Sequence, residues 1–492
     1  MPSADQHHFS LSLSATSNAG NFVERRGADL FLGGQELRFA SLNAPQLLRG
    51  DESGPFEVRD TFAALAAKDG FGGVPVTRTY TLMIKSKPYV NVGHINGWSE
   101  QYRDWLWDDE RMKQMDLVLD EAHKAGVKLI IPIINQDFGD DKNWVGCTTD
   151  LTRLRYGLGS NDEARRINFW KDPTMIEAFK VIIDRLADRV NTINGRRYKD
   201  EPCILAWETG NELTAGKLDN WKELPAPASW TLTIAKHLKS RAPRNLVMDG
   251  SFARYMDPDR MFPKEVLDSP DVDILSYHHY GNGEAPRVKK ECEVARRHNK
   301  AFVSGEYGFF RDQTIYKTFL NDVDAAGGAG SLGWSFRPHS SIGGHKTHSE
   351  GQDNIFSYHL PGWPDSSHPE FDDREFQIVR GVRDASFKIN GQARPSRFPI
   401  PSAPGKPWRT KTPSGAPAIA FQGAAWADRY LVTVRGPNGE RSKVAKDHTK
   451  ENSFAVEIGK EIQAVGGKDV RVSVRAISVD GVEGGQSEVF AF

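Results

Sequence analysis

Short apolar runs rich in β-branched residues alternate with segments of helical periodicity along most of the chain. Such runs are typical of buried parallel strands, and the helical segments are typical of crossovers between them. Eight runs occur, at residues 37–43, 73–81, 127–135, 203–212, 245–251, 272–280, 300–308 and 330–336. Eight strands close a barrel whose interior is filled by side chains. The pattern therefore predicts an α/β fold, the (β/α)8 or TIM barrel.

Helical segments fit between the runs, and their ends carry recognisable signals. Residues 58–70 and 108–126 have apolar spacings of three and four and end on Gly. A third segment begins with Asp172, a candidate N-cap, followed by Pro173 at the first helical position. Residues 374–390 are expected to form the last helix of the barrel.

The pattern changes after the barrel. A Pro-rich stretch predicts a linker, and the remaining residues alternate apolar and polar positions, which predicts a small all-β sandwich. This last part resembles a fibronectin type III module around Trp426 and in the alternating residues 430–434. We expect it to pack against or space the barrel, with sugar binding as the alternative. The predicted division is a tail at 1–20, a catalytic barrel at 21–392, the linker at 393–406 and the sandwich at 407–492.

Two predicted loops are unusually long. One spans roughly residues 83–108 after the second run, and the other spans roughly 337–372 after the eighth. Both follow strands, so both belong to the face of the barrel at which active sites lie. Long ordered loops at that face usually shape a substrate cleft.

Composition narrows the classes of partner. The formal charge is −1, so nothing electrostatic favours a nucleic acid or an anionic membrane. A neutral polysaccharide or oligosaccharide fits better. The three cysteines are widely spaced, and no phosphate-binding or metal-ligand spacing occurs, so we expect neither cofactor nor metal. The first twenty residues contain no apolar leader segment, which indicates a cytoplasmic protein or a secreted one numbered after leader removal. The oligomeric state stays open.

Two glutamates stand at the ends of predicted strands. Glu212 ends the fourth run and Glu306 ends the seventh. The carboxyl ends of barrel strands surround one mouth, so both side chains can face one ligand. Hydrolysis of a glycoside with retention of configuration needs two carboxyl groups about 5 Å apart. The two glutamates are therefore candidates for that chemistry.

Several further motifs accompany these glutamates in a specific order. They are the stretch 191–213, VTRTYT at 76–81, SYHHY at 276–280, SGEYG at 304–308 and GWSF at 333–336. Together they resemble glycoside hydrolase family 5 of clan A, and particularly its β-mannanases. The resemblance covers roughly residues 20–390 and implies a retaining hydrolase on a (β/α)8 barrel.

The resemblance also implies roles for individual residues. Glu212 would be the acid/base and Glu306 the nucleophile. Asn211 would hydrogen-bond the 2-hydroxyl of the reacting sugar, and Arg78 would lie beneath Glu306 and hold it ionised. We expect Glu208, four residues before Glu212, to form an ion pair deep in the barrel and not to take part in catalysis.

Aromatic side chains would complete the site. Tyr280 would donate a hydrogen bond to the nucleophile, His278 would border the acid/base, and Trp334 would form the apolar floor. His278 and the adjacent His279 point to opposite faces of a strand, so we do not expect them to bind one metal ion. Candidate aromatic side chains for more distant sugar subsites are Trp98, Trp144 and Trp363.

The resemblance favours β-1,4-mannosides as the substrate. The third run ends in Asn135 and is followed by Gly139, as in mannanases. The chain departs from mannanases at Thr209–Gly210 and Leu213–Thr214, beside the acid/base. The prediction is an endo-β-1,4-mannanase. The alternatives are an exo-acting β-mannosidase whose long loops close the cleft, a β-1,4-glucanase and, last, a non-catalytic carbohydrate-binding protein.

Overall fold

A computed structural model describes residues 21–86, 89–139, 143–215, 224–253, 261–349, 357–364, 367–368, 371–451 and 453–492. The predicted tail at 1–20 and parts of both predicted loops lie outside the described residues. No helix among the described residues has the length and apolarity needed to cross a membrane.

The strands follow the predicted runs closely in the first part of the chain. In chain order they are β1 (Val23–Arg26), β2 (Asp29–Leu32), β3 (Gln35–Glu36), β4 (Phe39–Leu42), β5 (Val76–Arg78), β6 (Ile95–Ser99), β7 (Asp104–Trp107), β8 (Lys128–Pro132), β9 (Ile204–Glu208), β10 (Leu246–Asp249), β11 (Ile274–Tyr280), β12 (Ala301–Gly308) and β13 (Gly330–Gly333). The later strands are β14 (Ser367–His368), β15 (Phe371–Arg374), β16 (Trp408–Lys411), β17 (Pro417–Ala420), β18 (Arg429–Gly436), β19 (Gly439–Lys446), β20 (Val456–Glu457), β21 (Arg471–Ile477), β22 (Glu483–Gln486) and β23 (Phe490–Ala491). Each of the eight predicted runs contains one strand of the barrel, so that prediction is confirmed.

The eight barrel strands form one parallel sheet in the order β4-β13-β12-β11-β10-β9-β8-β5. The two end strands meet through local bonds, because the Ala44 N–H donates to the Arg78 carbonyl at 2.9 Å. Apolar side chains from the barrel strands fill the interior, among them Phe39, Val76, Ile274 and Val303. Side chains of the β1–β2 hairpin join the same cluster and close the N-terminal end. The opposite end, where the barrel strands have their carboxyl ends, stays available for a functional site.

Helices cover the outside of the barrel. They are Pro55–Leu65, Asp109–Ala125, Thr148–Tyr156, Asn161–Ala164, Pro173–Asp188, Ala228–Arg241, Lys264–Asp268, Val288–Arg297, Gln313–Ala325 and Glu375–Ile389. The helix predicted at 58–70 runs instead over Pro55–Leu65 and ends before Gly70, whereas the helix end predicted at Gly126 and the helix start predicted at Asp172 are confirmed. The Asp172 carboxylate accepts from the Met175 N–H at 2.8 Å, so the predicted N-cap is confirmed. Gly126 ends its helix with a φ of 71°, a conformation that glycine adopts without steric cost.

The loop predicted at 83–108 contains more structure than expected. Strands β6 and β7 pair as an antiparallel hairpin within it. The Trp105 indole of this hairpin is buried and donates to the Ala178 carbonyl at 2.7 Å. The loop is thus anchored on the helix Pro173–Asp188, which a propensity argument could not show because the two segments are distant in sequence.

The C-terminal residues form two antiparallel sheets, as the alternating pattern predicts. One contains β16, β17 and β20, and the other contains β18, β19, β21, β22 and β23. Side chains from both sheets share one apolar cluster, which includes Ile419, Tyr430, Val432 and Val472. A short helix, Gly459–Ala464, lies between β20 and β21, where the sequence predicted none. The sandwich packs on the barrel, since the Trp426 indole donates to the Ala64 carbonyl at 2.8 Å.

Candidate active site

One arginine organises the mouth of the barrel. Arg78, the last residue of β5, is fully buried, and its Nε donates to Glu208 at 2.7 Å while Nη1 donates to Glu306 at 2.7 Å. Its Nη2 donates to the Asn211 side-chain carbonyl at 2.8 Å. Burial alone would lower the pKa of Arg78, but the charges of Glu208 and Glu306 outweigh it and raise the pKa. Arg78 is therefore a permanent cation that brings groups from β9 and β12 together.

Glu306 lies on β12 with both carboxylate oxygens engaged. Oε1 accepts from Arg78, and Oε2 accepts from the Tyr280 hydroxyl. Burial raises the pKa of Glu306 above its ordinary 4.5, and the charge of Glu212 acts in the same direction. Arg78 and the Tyr280 hydrogen bond oppose that rise. The surroundings thus include two groups that favour an ionised Glu306.

Glu212 lies just beyond β9, where the backbone leaves the strand with a φ of 50°. Its Oε2 accepts from the Gln136 amide at 2.6 Å, and its Oε1 lies 2.9 Å from His278 Nδ1. The Glu212 side chain is partly exposed, whereas Glu306 is buried. A carboxylate oxygen of each glutamate and a ring nitrogen of His278 all lie within 4.8 Å of one another.

His278 lies between the two glutamates. Its Nδ1 is 2.9 Å from Glu212 Oε1 and 3.4 Å from Glu306 Oε2. Burial lowers the pKa of His278 to about 3, so the ring is neutral at ordinary pH. The adjacent His279 points away and lies 2.6 Å from Glu291, which confirms the prediction that the two rings face opposite sides of β11.

The spacing of Glu212, His278 and Glu306 would also suit a cation. The fixed positive charge of Arg78 stands 2.7 Å from the Glu306 carboxylate, however, and repels a second cation there. Acid/base and nucleophilic chemistry by the two carboxyl groups is therefore what this arrangement favours.

An amide and aromatic wall adjoins the glutamates. The Asn211 Nδ2 donates to the Asn135 side-chain oxygen Oδ1 at 3.0 Å and to the Tyr80 hydroxyl at 3.1 Å. The Tyr80 ring stacks on Trp144 with centroids 5.0 Å apart and lies 5.9 Å from Trp334. The structure thus brings together the four residues Asn135, Asn211, Trp144 and Trp334 that the sequence singled out separately.

Two candidate subsite residues lie in other surroundings. Trp363 is buried with its ring stacked on His359, with centroids 4.2 Å apart, and a sugar subsite at Trp363 stays a prediction. Trp98 lies on β6 with Arg155 over its ring at 4.3 Å and Trp105 at its edge. Arg155 thus covers one of its faces, and a sugar subsite at Trp98 stays a prediction.

Two residues that contact the site groups were missed by the sequence analysis. Gln136 contacts Glu212, and Tyr80 links Asn135 and Asn211. Both are polar residues just beyond the ends of β8 and β5, on the same barrel face as the glutamates. Their positions after strand ends could have identified them from the sequence, because active sites of barrels include residues at the ends of several strands.

The chain resembles known glycosidases. Residues 98–326 match the model of the glycoside hydrolase family 5 β-mannosidase-like proteins. The chain is 24% identical over 382 residues to mannan endo-1,4-β-mannosidase 7 of Oryza sativa subsp. japonica, covering 69% of this chain and 91% of the relative. It is 28% identical over 248 residues to a putative mannan endo-1,4-β-mannosidase P of Arabidopsis thaliana, covering 49% of this chain and 54% of that relative.

Solved structures share the fold. The endo-1,4-β-mannanase of Rhizomucor miehei superposes with a TM-score of 0.56 at 21% identity, covering 75% of this chain and 99% of that chain. The family 5 mannosidase of the same organism superposes with a TM-score of 0.54 at 17% identity, covering 76% of this chain and 99% of that chain. The covered share is about what a barrel without the C-terminal sandwich would occupy. These structures show the fold, whereas the family model and the sequence relatives show that the chain is a glycoside hydrolase.

Proposed function

We propose that this glycoside hydrolase is a retaining endo-β-1,4-mannanase. The observation that carries the proposal is the pairing of Glu212 and Glu306, which lie in different surroundings with one carboxylate oxygen of each within 4.8 Å of the other. Retaining glycosidases place their two carboxyl groups about 5 Å apart, whereas inverting enzymes need about 6.5–9.5 Å to admit a water. The short separation supports direct attack by one carboxylate on the sugar.

In the first step, the Glu306 carboxylate attacks the anomeric carbon while Glu212 donates its proton to the glycosidic oxygen. The bond to the leaving sugar breaks, and a covalent glycosyl ester forms on Glu306. Arg78 and Tyr280 support this role because each donates a hydrogen bond to an oxygen of Glu306. Glu212 is suited to proton exchange because it is more accessible and is held by Gln136.

In the second step, Glu212, now ionised, takes a proton from water, and the resulting nucleophile attacks the anomeric carbon. The ester bond to Glu306 breaks and the product leaves with its original configuration. The Asn211 side chain would contact the 2-hydroxyl of the same sugar, and its hydrogen bonds with Arg78 and Asn135 support a fixed orientation for that contact. Trp334 would supply the apolar floor.

The choice of mannan rests on the relatives and on the residues near Asn135. Both plant relatives and the fungal structure carry mannanase names. An exo-acting β-mannosidase is the second candidate, because the matching family model is described as β-mannosidase-like and a mannosidase structure shares the fold. A β-1,4-glucanase or a non-catalytic binder has less support.

The test is a time-resolved product profile on mannohexaose and linear β-1,4-mannan, with cellohexaose as the control. Mixed short products at the first time points would support endo action. Mannose alone would move the proposal to exo action, and cleavage of cellohexaose alone would replace mannan by glucan.

The assignment of the nucleophile is tested separately with Glu306→Gln. This variant should lose nearly all turnover while still binding mannohexaose in calorimetry. Unchanged turnover would overturn the assignment. The matched control is Glu110→Gln, an exposed glutamate paired with Lys113 on the outside of the barrel, which should keep full activity.

The domain division and the module type belong to the same proposal. We infer a barrel at residues 21–392, a linker at 393–406 and a fibronectin type III-like sandwich at 407–492. The two antiparallel sheets with a shared apolar core support the sandwich. The linker contacts the barrel, since buried Phe398 in it lies under Arg383 of the last barrel helix at 4.8 Å.

A further inference from the structure

A buried cluster of ionisable side chains joins the barrel to the sandwich. His339, in the loop after β13, lies between two carboxylates: its Nδ1 is 3.0 Å from Asp60 and its Nε2 is 3.0 Å from Asp447. His345 of the same loop lies 2.9 Å from the same Asp447 oxygen. We call these four residues the interdomain cluster. Each is buried, and Asp447 is the one contributed by the sandwich.

The main chain ties the same loop to the sandwich. The His345 N–H donates to the Thr449 carbonyl at 2.8 Å, and the Glu451 N–H donates back to the His345 carbonyl at 2.8 Å. The Ser340 hydroxyl also donates to the Glu451 carboxylate at 3.0 Å. The loop segment from 339 to 345 is therefore held at both ends by the sandwich and not by the barrel alone.

This loop segment lies directly after the site. Trp334 precedes His339 by five residues, and the intervening chain is fixed where the Phe336 N–H donates to the Asn43 carbonyl at 2.8 Å. Beyond His345 the chain returns, and the ring of His348 meets Trp334 edge-on with centroids 6.4 Å apart. The loop segment from 339 to 345 is therefore linked along the chain to Trp334 on one side and to the Trp334 neighbour His348 on the other.

We propose that Asp447 of the sandwich is a positioning residue for the active site, which holds Trp334 and His348 in place through His339 and His345. The sandwich then completes the sugar-binding surface without touching the sugar. The proposal rests on the proposed function in one respect, that Trp334 forms the floor of the reacting-sugar subsite.

The charges in the interdomain cluster favour a stable contact between His339 and the carboxylates of Asp60 and Asp447. Burial alone would lower the pKa of His339, but Asp447 and Asp60 outweigh it and raise the pKa to about 10. Burial lowers the pKa of His345 to about 3, so this ring is neutral and can donate to Asp447. The Tyr430 hydroxyl of the sandwich lies 3.5 Å from His339, and the ring of His359 lies 4.6 Å from the ring of His345. A charged His339 thus stands between two carboxylates at neutral pH.

The ring geometry indicates hydrogen bonding more than metal binding. The His339 and His345 rings lie 3.9 Å apart at 33°, so they are nearly stacked. Two imidazoles that share a metal ion spread apart to direct one nitrogen each at it, with bonds of about 2.0–2.1 Å. The close approach of the sandwich also depends on Gly423, where an added Cβ would lie 2.0 Å from His339 Cδ2.

The first arm of the test needs no substrate. Hydrogen exchange of the full chain is compared among the wild type, Asp447→Asn and the control Glu440→Gln, whose carboxylate pairs with exposed Arg435 on the sandwich. Asp447→Asn should speed exchange in the loop from 334 to 349 by about tenfold or more, because the charge opposite His339 is lost. Unchanged exchange there would overturn the proposal, whatever sugar the enzyme cleaves.

The second arm measures sugar binding. In a Glu306→Gln background, Asp447→Asn should weaken mannohexaose binding about tenfold, and the loss should grow as pH rises from about 6 to 9, because His339 then has one carboxylate fewer and loses its proton. Gly423→Ala should weaken binding without changing any charge and without that pH dependence. A mobile loop with unchanged binding would overturn the positioning role. If a chelator abolishes mannohexaose binding by the full chain with Asp447 intact, the positioning role of Asp447 would be overturned in favour of a metal site.

Discussion

At the residue scale, two glutamates of one chemical type acquire different properties from their neighbours. Glu306 is buried against Arg78 and Tyr280, whereas Glu212 is more exposed and is held by an amide and a neutral imidazole. Pairs of carboxyl groups in contrasting surroundings are how glycosidases divide the acid and nucleophile roles. The difference therefore follows from contacts made after folding and not from the side chains themselves.

Tyr280→Phe should move the acid limb of the pH profile of kcat/KM to higher pH. Burial raises the pKa of Glu306 above 4.5, and the Tyr280 hydrogen bond opposes this rise, so its removal raises the pKa further. The nucleophile must be ionised, and the acid limb of kcat/KM should therefore lie above pH 4.5 in the wild type and higher in the variant. A pH–rate profile checks this. The control is Tyr316→Phe, whose hydroxyl contacts Tyr358 instead; equal limbs in all three proteins would contradict the prediction.

Gln136→Leu should impair proton donation by Glu212. The amide of Gln136 is the donor that holds Glu212 Oε2 at 2.6 Å, and an apolar side chain leaves that oxygen without it. We expect kcat on mannan to fall about tenfold to a hundredfold. An aryl mannoside with an acidic leaving group needs little protonation and should lose less. Equal losses on both substrates, or none, would contradict a role in holding the acid; Gln114→Leu, altered outside the site, is the control.

At the element scale, two glycines allow the strands that carry the site to approach. A Cβ at Gly250 would lie 1.7 Å from the carbonyl oxygen of Gly210, so β9 and β10 can adopt this spacing at their ends only without a side chain there. Gly210 immediately precedes Asn211 and Glu212, where the chain turns with a positive φ. The position of the acid/base candidate thus depends on backbone contact between neighbouring strands.

Gly250→Ala should disrupt both stability and activity. The added methyl group meets backbone that cannot move without shifting the Glu212 turn, so we expect a loss of several kcal/mol in the free energy of unfolding and a large fall in kcat. The matched control is Gly157→Ala, at the end of Thr148–Tyr156, where φ is 63° and no atom lies within 4 Å of the added group. It should cost about 1 kcal/mol and leave kcat unchanged. Denaturant unfolding and initial rates measure both; similar effects of the two substitutions would contradict the argument.

At the scale of the whole molecule, the sandwich and the barrel share one interface. Trp426 of the sandwich is fully buried, donates to the Ala64 carbonyl and packs against Phe71 and Phe398. The interdomain cluster adds buried charges to the same interface. Domains joined by a large apolar contact are expected to unfold together, whereas tethered modules unfold separately.

The full chain should therefore unfold in one calorimetric transition. Trp426→Ala removes a buried indole at a typical cost of about 3–5 kcal/mol, and we expect it to lower the melting temperature and split the transition in two. Trp98→Ala, at a partly exposed position on the hairpin, is the control and should leave one transition. Two transitions in the wild type would contradict a shared interface.

The stability of this interface should also depend on pH. The pKa of His339 is raised from 6.5 to about 10, so its contribution is complete below about pH 6.5 and is lost as pH rises towards 10. Melting temperatures between these pH values should therefore fall less in Asp447→Asn than in the wild type.

The sequence by itself determined the barrel, the helix end at Gly126, the helix start at Asp172 and the location of Glu212 and Glu306 at the ends of two strands. These features depend on local patterns: apolar periodicity selects strands and helices, Asp172 and Pro173 mark a helix start, and Glu212 and Glu306 follow strands. Strand count and order then direct both glutamates to one mouth, so their proximity also follows from the pattern. No long-range contact has to be known in advance for any of these conclusions.

Tertiary structure alone decided which other side chains serve the site. Gln136, beyond the end of another strand, contacts Glu212, and the ring of Trp363 is stacked on His359. His339 meets Asp447 across 108 positions of sequence. The physical reason is that the role of an amide, a ring or a charge depends on the residues packed around it. Those neighbouring residues come from segments that are distant in the sequence, and local periodicity does not encode which distant segments pack together.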